Sequence, residues 1–410
     1  MKNLKEVICS ITARCNLRCR MCDIPYEKKD ELSTLHWKRI ISDASRLGAQ
    51  TIVFSGGEPL LRDDIFELVS YAKNNNLSAC ITSNGSLLDE KSVLRLKSSG
   101  VTVVNISLEG RKETHDNLRG RGAFDRAILA LENLRKYKIE ATVASTVSKY
   151  NYKDLFYVLE LAKNYGATTV RFQPFNNIFL KSPSRENEFL INKTDALKLK
   201  EIIEKLISGA KEFNISTNPI SYLNNIPAYL AGEKIFPGNC PALYCSCPIN
   251  PDGEMFPCWI ESSRDNLIGN LKDESLYDLW LSQRRMNIIN SIAKKGCSGC
   301  MMSCYDEVFG RDVLQTQVFK KIKRISRTFN YEKIVNKILQ KLRGEFTKLR
   351  LRCKFYLSYR GSVRTLFKRR FLNIFSRRKN YQVNRGIEKP VILQEIDLAR
   401  QRLKKEMNSL

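Results

Sequence analysis

VICSITARCNLRCRMCDIP, residues 7–25, joins a short β-type segment to a loop that carries three cysteines. Segment 7–12 is apolar and β-branched, which predicts a strand, and Cys15, Cys19 and Cys22 follow it directly. The thiols would then lie at the carboxyl end of a strand, where parallel sheets bind ligands. Three cysteines are one short of a closed zinc site and can also hold three irons of a cubane cluster, so the loop alone leaves both metals open.

Five further β-type runs follow this strand, and amphipathic segments separate them. The predicted strands are 7–12, 51–56, 77–83, 101–108, 140–147 and 168–174, and the predicted helices are 36–48, 64–75, 90–100, 124–137 and 153–166. The strands are near-continuous runs of Val, Ile, Thr and Phe, which predicts burial on both faces. Six β–α repeats indicate a parallel sheet, either a curved open barrel or a doubly wound sheet.

The composition is that of a folded protein with an unusual number of cysteines. The chain has 410 residues, of which 43% are hydrophobic and 27% are charged. It has no apolar run long enough for a membrane span and no apolar core of a signal peptide, so we expect a cytoplasmic protein. In that reducing compartment the 13 cysteines are expected to bind metal rather than form disulfides. Most of them cluster, within residues 9–22 and 240–304.

The second predicted strand ends in SGGEPLLR, residues 55–62. Gly56 and Gly57 would let backbone N–H groups come close to a ligand, because they have no side chain. Glu58 offers a carboxylate suited to an ammonium group, and Pro59 stiffens the turn. The same residues are also good turn formers, so the stretch taken alone allows a purely structural interpretation.

Polar residues also end the third and fourth strands, in TSNG (82–85) and NISLEG (105–110), as expected of a site at the top of a barrel. With CxxxCxxC (15–22) after the first strand and GGEP (56–59) after the second, the sequence resembles the radical S-adenosylmethionine (SAM) superfamily. The resemblance covers roughly residues 5–180. It implies a partial (β/α)6 TIM-like barrel of parallel strands.

The resemblance also implies a set of site residues. Cys15, Cys19 and Cys22 would hold a [4Fe-4S] cluster whose open iron binds SAM. The implied SAM contacts are Gly56, Gly57, Glu58, Pro59, Ser83, Asn84, Ser107 and Glu109. Glu109 stands where many relatives have Asp. Arg119 would either pair with the SAM carboxylate or form a surface salt bridge.

The implied activity is radical chemistry. In the family, one electron from the reduced cluster splits SAM into methionine and a 5′-deoxyadenosyl radical, which takes a hydrogen atom from the substrate. An electron donor such as a flavodoxin or ferredoxin is the implied partner. The cofactor supplies the chemistry, and the protein supplies orientation and a dry cavity.

A second group of cysteines lies in CPALYCSCPINPDGEMFPC (240–258) and CSGCMMSC (297–304). It resembles the SPASM/twitch extension of radical SAM enzymes, in which Asp252–Gly253 would form a hairpin turn. The implied ligands of one auxiliary [4Fe-4S] cluster are Cys240, Cys258, Cys297 and Cys300, with Cys245, Cys247 and Cys304 as substitutes or substrate-side thiols. A structural zinc is the alternative.

Four regions are predicted along the chain: a radical SAM core (1–180), a helical bridge (181–236), an auxiliary Fe–S domain (237–310) and a basic helical tail (311–410). The tail carries 28 Lys and Arg against 7 Asp and Glu, and thus most of the net charge of +26. Within it, residues 363–379 alternate aromatic and basic side chains at helical spacing. That pattern favours an amphipathic helix on the inner, anionic face of a membrane; RNA, an acidic carrier or the catalytic body are the other candidates.

The sequence predicts an enzyme but leaves its substrate open. The expected substrates are a peptide or protein side chain, or a sugar- or lipid-linked intermediate. Alternatives are a radical SAM dehydrogenase of a carbohydrate alcohol and, from another class, a non-catalytic Fe–S or zinc protein that binds nucleic acid. GGEP argues against the last, because a metal-dependent binder has no need for it. Neither histidine, His36 or His115, stands in a ligand spacing, which makes histidine acid–base catalysis a poor fit.

Overall fold

The computed structural model describes residues 4–235, 242–297 and 299–302. Its first six strands are β1 (Glu6–Thr12), β2 (Thr51–Gly56), β3 (Ser78–Ser83), β4 (Val103–Ser107), β5 (Glu140–Val147) and β6 (Thr169–Pro174). Each pairs in parallel with its neighbour in sequence, in the order β6-β5-β4-β3-β2-β1. A doubly wound sheet would reverse this order at a switch point. The predicted open, TIM-like barrel is therefore confirmed.

Helices follow the strands at nearly the predicted positions. They are α1 (Thr34–Arg46), α2 (Ile65–Asn74), α3 (Glu90–Ser99), α4 (Lys112–Arg119), α5 (Ala123–Lys136) and α6 (Leu155–Asn164). Helix α3 ends at Gly100, whose φ of 81° gives the left-handed cap expected of a glycine stop. The sequence did not predict α4. It buries only His115 and Leu118, so it has no apolar periodicity to recognise.

The two faces of the barrel strands differ in character. Val7, Cys9 and Ile11 of β1 are fully buried in the core that the helices cover. The opposite face carries small polar residues that line a cavity: Ser10, Ser55, Thr82, Asn105, Thr142 and Thr169. The prediction that both faces are buried alike is therefore wrong. Thr has the same β-branched shape as Val, so a β-type run does not distinguish an apolar face from a polar one.

The chain after β6 is helical and returns to the sheet. Helices α7 (Lys193–Phe213) and α8 (Ile220–Leu230) bury apolar faces in the same core as α6. Between them, Ser216 exchanges backbone hydrogen bonds with Thr168 and Val170 at 3.0 and 2.8 Å. This connection holds the helical segment against the outer edge of β6.

The cysteine-rich segment continues the barrel sheet. It contains α9 (Ala242–Cys245), β7 (Ser246–Ile249), β8 (Glu254–Met255), β9 (Gly269–Asn270), α10 (Leu276–Leu281) and α11 (Gln283–Lys295). Strand β7 pairs in parallel with β1, and β8 and β9 follow as antiparallel strands. Gly253, with φ of 89°, makes the predicted turn between β7 and β8. Because β7 is a neighbour of β1, this segment is fixed directly beside the strand that precedes the first cysteine loop.

Arg285 holds the helices of this segment together. Its guanidinium is 3.5 Å from the ring centroid of Trp280 and donates hydrogen bonds to the carbonyls of Leu243 (2.7 Å) and Trp280 (3.3 Å). The side chain is buried, and burial lowers its pKa to about 10. The contact joins α9, α10 and α11 through one residue.

All described residues fall within one structural unit, residues 1–320. Within that described part of the chain, no helix combines the length and the apolar character needed to cross a bilayer. Residues 303–410, with the predicted basic helix at 363–379, lie outside the described residues.

We expect Arg285→Gln to destabilise the protein by about 2–4 kcal/mol, because two buried carbonyls lose their donors. The neighbouring Arg284→Gln should cost less than about 1 kcal/mol, since the ion pair of Arg284 with Glu274 is half-exposed. Urea unfolding followed by circular dichroism measures both. Equal losses of unfolding free energy in the two variants would contradict the role of Arg285 in joining α9, α10 and α11.

Candidate functional site

The interior of the barrel holds a cavity of about 900 Å³. It is lined by the inward faces of all six parallel strands and by the loops that follow them. The auxiliary segment contributes Trp259, Arg264 and Met302 to the same wall. This volume lies near the upper end of ordinary ligand sites, about 300–1,000 Å³, and leaves room for a cofactor and part of a substrate.

The three cysteines of the first loop all line this cavity. None is in a disulfide, and each is partly buried. The backbone N–H of Leu17 donates to Cys15 Sγ at 3.4 Å, and the N–H of Ile24 donates to Cys22. Such N–H···S contacts stabilise thiolates and tune the potentials of iron–sulfur clusters.

Burial raises the pKa of all three thiols, and that of Cys22 to about 11. Without a compensating cation the thiols would be protonated at neutral pH. A metal removes that penalty by binding the thiolate directly. Three half-buried thiols that face one cavity and receive N–H groups therefore have the donor chemistry of a metal cluster.

Thiolates of this kind can serve two kinds of metal centre. Among the residues that the structure describes, no three His, Cys, Asp or Glu side chains converge closely enough to hold one metal ion. Structural zinc needs four ligands around one centre, whereas a cubane takes each cysteine on a different iron. Cys15, Cys19 and Cys22 all border one space.

The glycines of the second strand end hold the cysteine loop in place. Gly57 N–H donates to Thr12 O at 2.7 Å, and Glu58 N–H donates to Arg14 O at 2.8 Å. A Cβ on Gly57 would lie 2.1 Å from Arg14 O, and one on Gly56 would lie 2.3 Å from Thr12 O. The close approach expected at these glycines is therefore made by the cysteine loop, and their free surface faces the cavity.

Glu58 holds the end of β3 in place from the side away from the cavity. It is fully buried and does not line the cavity; Pro59 beside it is also buried. Its carboxylate accepts hydrogen bonds from Ser83 Oγ (2.9 Å) and Asn84 N (2.8 Å), and burial raises its pKa to about 7. The contact of this carboxylate with the amino group of SAM stays a prediction.

Ser83 and Asn84 are thereby presented to the cavity, which both line. Asn84 Nδ2 lies 2.9 Å from Asn16 Oδ1 and 3.8 Å from Cys15 Sγ, so this loop contacts the cysteine loop directly. Ser107, at the end of β4, lines the same wall. The structure thus brings the predicted polar residues of β3 and β4 beside the cysteines.

Glu109 is a second buried carboxylate under the site. It is fully buried, does not line the cavity, and pairs with Arg119 at 2.5 and 2.8 Å. Its other oxygen accepts from Thr146 N at 2.7 Å. Arg119 does line the cavity, and only 14% of its side chain is exposed, so the salt bridge is internal rather than at the surface.

His115 is the residue of this region that sequence reasoning missed. Its Nδ1 accepts the backbone N–H of Glu109 at 3.1 Å, and burial lowers its pKa to about 3. The neutral ring thus fixes the loop that carries Glu109. His36, by contrast, is a partly buried residue near the start of α1, where its Nδ1 lies 2.7 Å from Ser33 Oγ.

The auxiliary cysteines divide into two groups. Cys258 and Cys297 accept backbone N–H groups from Glu261 (3.3 Å) and Gly299 (3.4 Å), the same contact that Cys15 makes, and Cys300 is buried nearby in sequence. Cys245 and Cys247 are buried outside the cavity lining; burial raises the pKa of Cys247 to about 12. The predicted ligand Cys240 and the substitute Cys304 lie outside the described residues.

Two family models match the chain. The model of the Radical SAM superfamily covers residues 9–162, and that of an iron-sulfur cluster-binding domain, SPASM, covers residues 240–304. The chain belongs to the radical SAM superfamily. It is a radical SAM enzyme with a SPASM domain, and its cofactors are [4Fe-4S] clusters and SAM.

Curated relatives differ in what they make. The AdoMet-dependent heme synthase of Methanosarcina barkeri is 28% identical over 74% of this chain and 93% of its own length. The mycofactocin maturase MftC of Mycolicibacterium smegmatis is also 28% identical, over 74% of this chain and 76% of its own. The Fe-coproporphyrin III synthase of M. barkeri is 39% identical, but the match spans only 40% of that relative.

A solved structure shares the fold. Streptococcus suis SuiB, crystallised with its precursor peptide SuiA, superposes with a TM-score of 0.56 and 18% identity, covering 70% of this chain and 67% of SuiB. At that identity the likeness establishes the architecture alone.

We expect Glu58→Gln to weaken SAM binding about tenfold, because an amide has one acceptor oxygen and leaves a donor of the Ser83–Asn84 loop unpaired. Cluster content should stay normal, since the cysteines are untouched. Anaerobic equilibrium dialysis of the reconstituted protein measures the affinity. Glu67→Gln, which alters a partly exposed pair with Lys38, is the matched control; equal affinities of both variants and wild type would refute the supporting role.

Proposed function

We propose that Cys15, Cys19 and Cys22 hold the SAM-binding [4Fe-4S] cluster and that the enzyme abstracts a hydrogen atom from a polar, peptide-type substrate inside the barrel. The observation that carries the proposal is a single cavity that joins the three thiols, the glycines of the GGEP turn and a polar lumen. When bound, the cluster and SAM supply a 5′-deoxyadenosyl radical. The chain itself positions the cofactor and the substrate.

The polar residues at the strand ends are suited to bind SAM. Ser83, Asn84 and Ser107 present hydroxyl and amide groups next to Cys15, and Arg119 offers a cation to a carboxylate. Gly56 and Gly57 line the cavity beside them, and their missing side chains make room for the cysteine loop. Glu58 holds Ser83 and Asn84, and Glu109 holds Arg119, from the side away from the cavity.

The lining of the lumen supports a hydrophilic substrate. Thr82, Asn105, Thr142 and Thr169 pair in series across four strands, and Ser10 pairs with Ser55 across the other two. Hydroxyl and amide groups at these positions suit a peptide or another polar chain. Ile8, Val53 and Val103 add apolar contacts on the same walls. The SuiB complex with a precursor peptide and the maturase relative agree with a peptide. The heme synthase relatives make a tetrapyrrole the second candidate.

We further propose one auxiliary [4Fe-4S] cluster on Cys258, Cys297 and Cys300, with Cys240 as its fourth ligand. The N–H···S contacts at Cys258 and Cys297, which match the contact at Cys15, support this set. The auxiliary segment also reaches the cavity through Trp259 and Met302. Its cluster would therefore lie on the substrate side of the barrel.

The activity is tested by anaerobic reconstitution, reduction with dithionite and chromatography of the products. Wild type should convert SAM to 5′-deoxyadenosine, whereas Cys15→Ala should form none because the cluster loses a ligand. Cys9→Ala, in the core of β1, is the matched control and should retain cleavage. No 5′-deoxyadenosine from cluster-replete wild type would reject the proposed function.

The same assay separates the substrate classes. Short peptides encoded beside this gene, made with deuterated side chains, should transfer deuterium to 5′-deoxyadenosine. Transfer from a deuterated iron-coproporphyrin instead would replace the peptide with the tetrapyrrole.

The auxiliary cluster predicts an iron content of about eight per reconstituted chain, falling to about four in Cys258→Ala. Cys247→Ala, which removes a buried core thiol, should keep about eight. Elemental analysis for iron and zinc distinguishes an auxiliary cluster from a structural zinc. One zinc per chain with about four irons in wild type would replace the auxiliary cluster with a structural zinc site.

A further inference from the structure

Arg119 directs one side of its guanidinium at a cluster cysteine. Nε and Nη2 are both bound by Glu109 Oε1, at 2.8 and 2.5 Å. Nη1 is left on the cavity side, 4.0 Å from Cys19 Sγ. A charged N–H group therefore faces the sulfur of a predicted iron ligand.

Glu109 fixes the direction of that group. Its second oxygen accepts from Thr146 N at 2.7 Å and lies 3.4 Å from Ser145 Oγ, so the carboxylate is tied to β5 as well as to Arg119. His115 binds the backbone of Glu109 at 3.1 Å. The guanidinium thus has its negative partner on one side and Cys19 on the other.

Helix α4 sets the distance between Arg119 and Cys19. Leu118 O accepts the backbone N–H of Arg20 at 2.8 Å, which joins the last turn of α4 to the cysteine loop. Arg119 O also lies 4.0 Å from Cys19 Sγ. The approach of Arg119 to Cys19 is therefore fixed by main-chain contacts and not only by a flexible side chain.

We propose that Arg119 raises the reduction potential of the cluster on Cys15, Cys19 and Cys22, with Glu109 limiting the rise. The inference rests on the proposed function. Reduction adds one electron, from a low-potential donor, to an anionic cluster. A cation and an N–H donor beside a cysteine sulfur stabilise the added charge, more strongly because the site is shielded from water. A carboxylate behind the cation opposes it.

The two charges predict shifts of opposite sign. Arg119→Gln removes the cation and leaves the carboxylate, so the midpoint potential should become more negative than that of wild type. Glu109→Gln removes the carboxylate while its amide oxygen can still accept from Arg119, so the midpoint should become more positive. General damage to the site would not move the two variants in opposite directions.

The measurement is an EPR-monitored redox titration of the reconstituted full chain without SAM, following the signal that is lost in Cys15→Ala. Arg119→Lys keeps the charge and should fall between wild type and Arg119→Gln. Arg111→Gln removes a cation from the other end of α4, where the side chain is 60% exposed, and should leave the midpoint unchanged. SAM affinity is measured in parallel by dialysis.

An unchanged midpoint in Arg119→Gln, with SAM cleavage retained, overturns this inference alone. Weaker SAM binding with an unchanged midpoint also overturns it and makes Arg119 a partner of the SAM carboxylate. A wild type that assembles no such cluster overturns the proposed function and the inference together. A negative shift in Arg119→Gln with a positive shift in Glu109→Gln supports the inference.

Discussion

The close contact between the cysteine loop and the glycine turn is the constraint on which the site depends. Two backbone hydrogen bonds, from Gly57 to Thr12 and from Glu58 to Arg14, press the loop after β1 onto the end of β2. No side chain can stand between them, because a Cβ on Gly57 would overlap Arg14 O. This contact turns three cysteines that are close in sequence into a rim around one cavity. The polar groups at the ends of β3 and β4 line the cavity beside that rim.

Two buried carboxylates support the rim from outside the cavity. Glu58 holds the strand end with Ser83 and Asn84, and Glu109 holds Arg119. Each accepts hydrogen bonds on both oxygens, from backbone and side-chain donors together. These bonds offset part of the cost of burying a carboxylate, although burial still raises the pKa of Glu58 to about 7. The groups that these carboxylates position, Ser83, Asn84 and Arg119, are the ones that line the cavity. Acidic residues in the GGEP and SLEG stretches therefore belong to the frame of the site.

Much of the fold follows from the sequence, because buried β-type runs and amphipathic helices leave clear periodic patterns. The residues of the site were also visible, since Cys15, Gly57 and Asn84 stand at predicted strand ends. The polar lumen was not visible, because Thr142 and Thr169 resemble buried β-branched residues. Helix α4 was missed because it has only two buried side chains. The pairing of β7 with β1 joins residues about 240 apart in the chain, and no local pattern encodes such a contact.

We propose that three cysteines suffice because SAM completes the coordination of the cluster. The most direct measurement is electron–nuclear double resonance on the reduced, reconstituted chain with SAM labelled with ¹⁵N at its amino group. We expect a hyperfine coupling between that nitrogen and the cluster, because the amino group would bind the open iron. Bound SAM with no such coupling would contradict it.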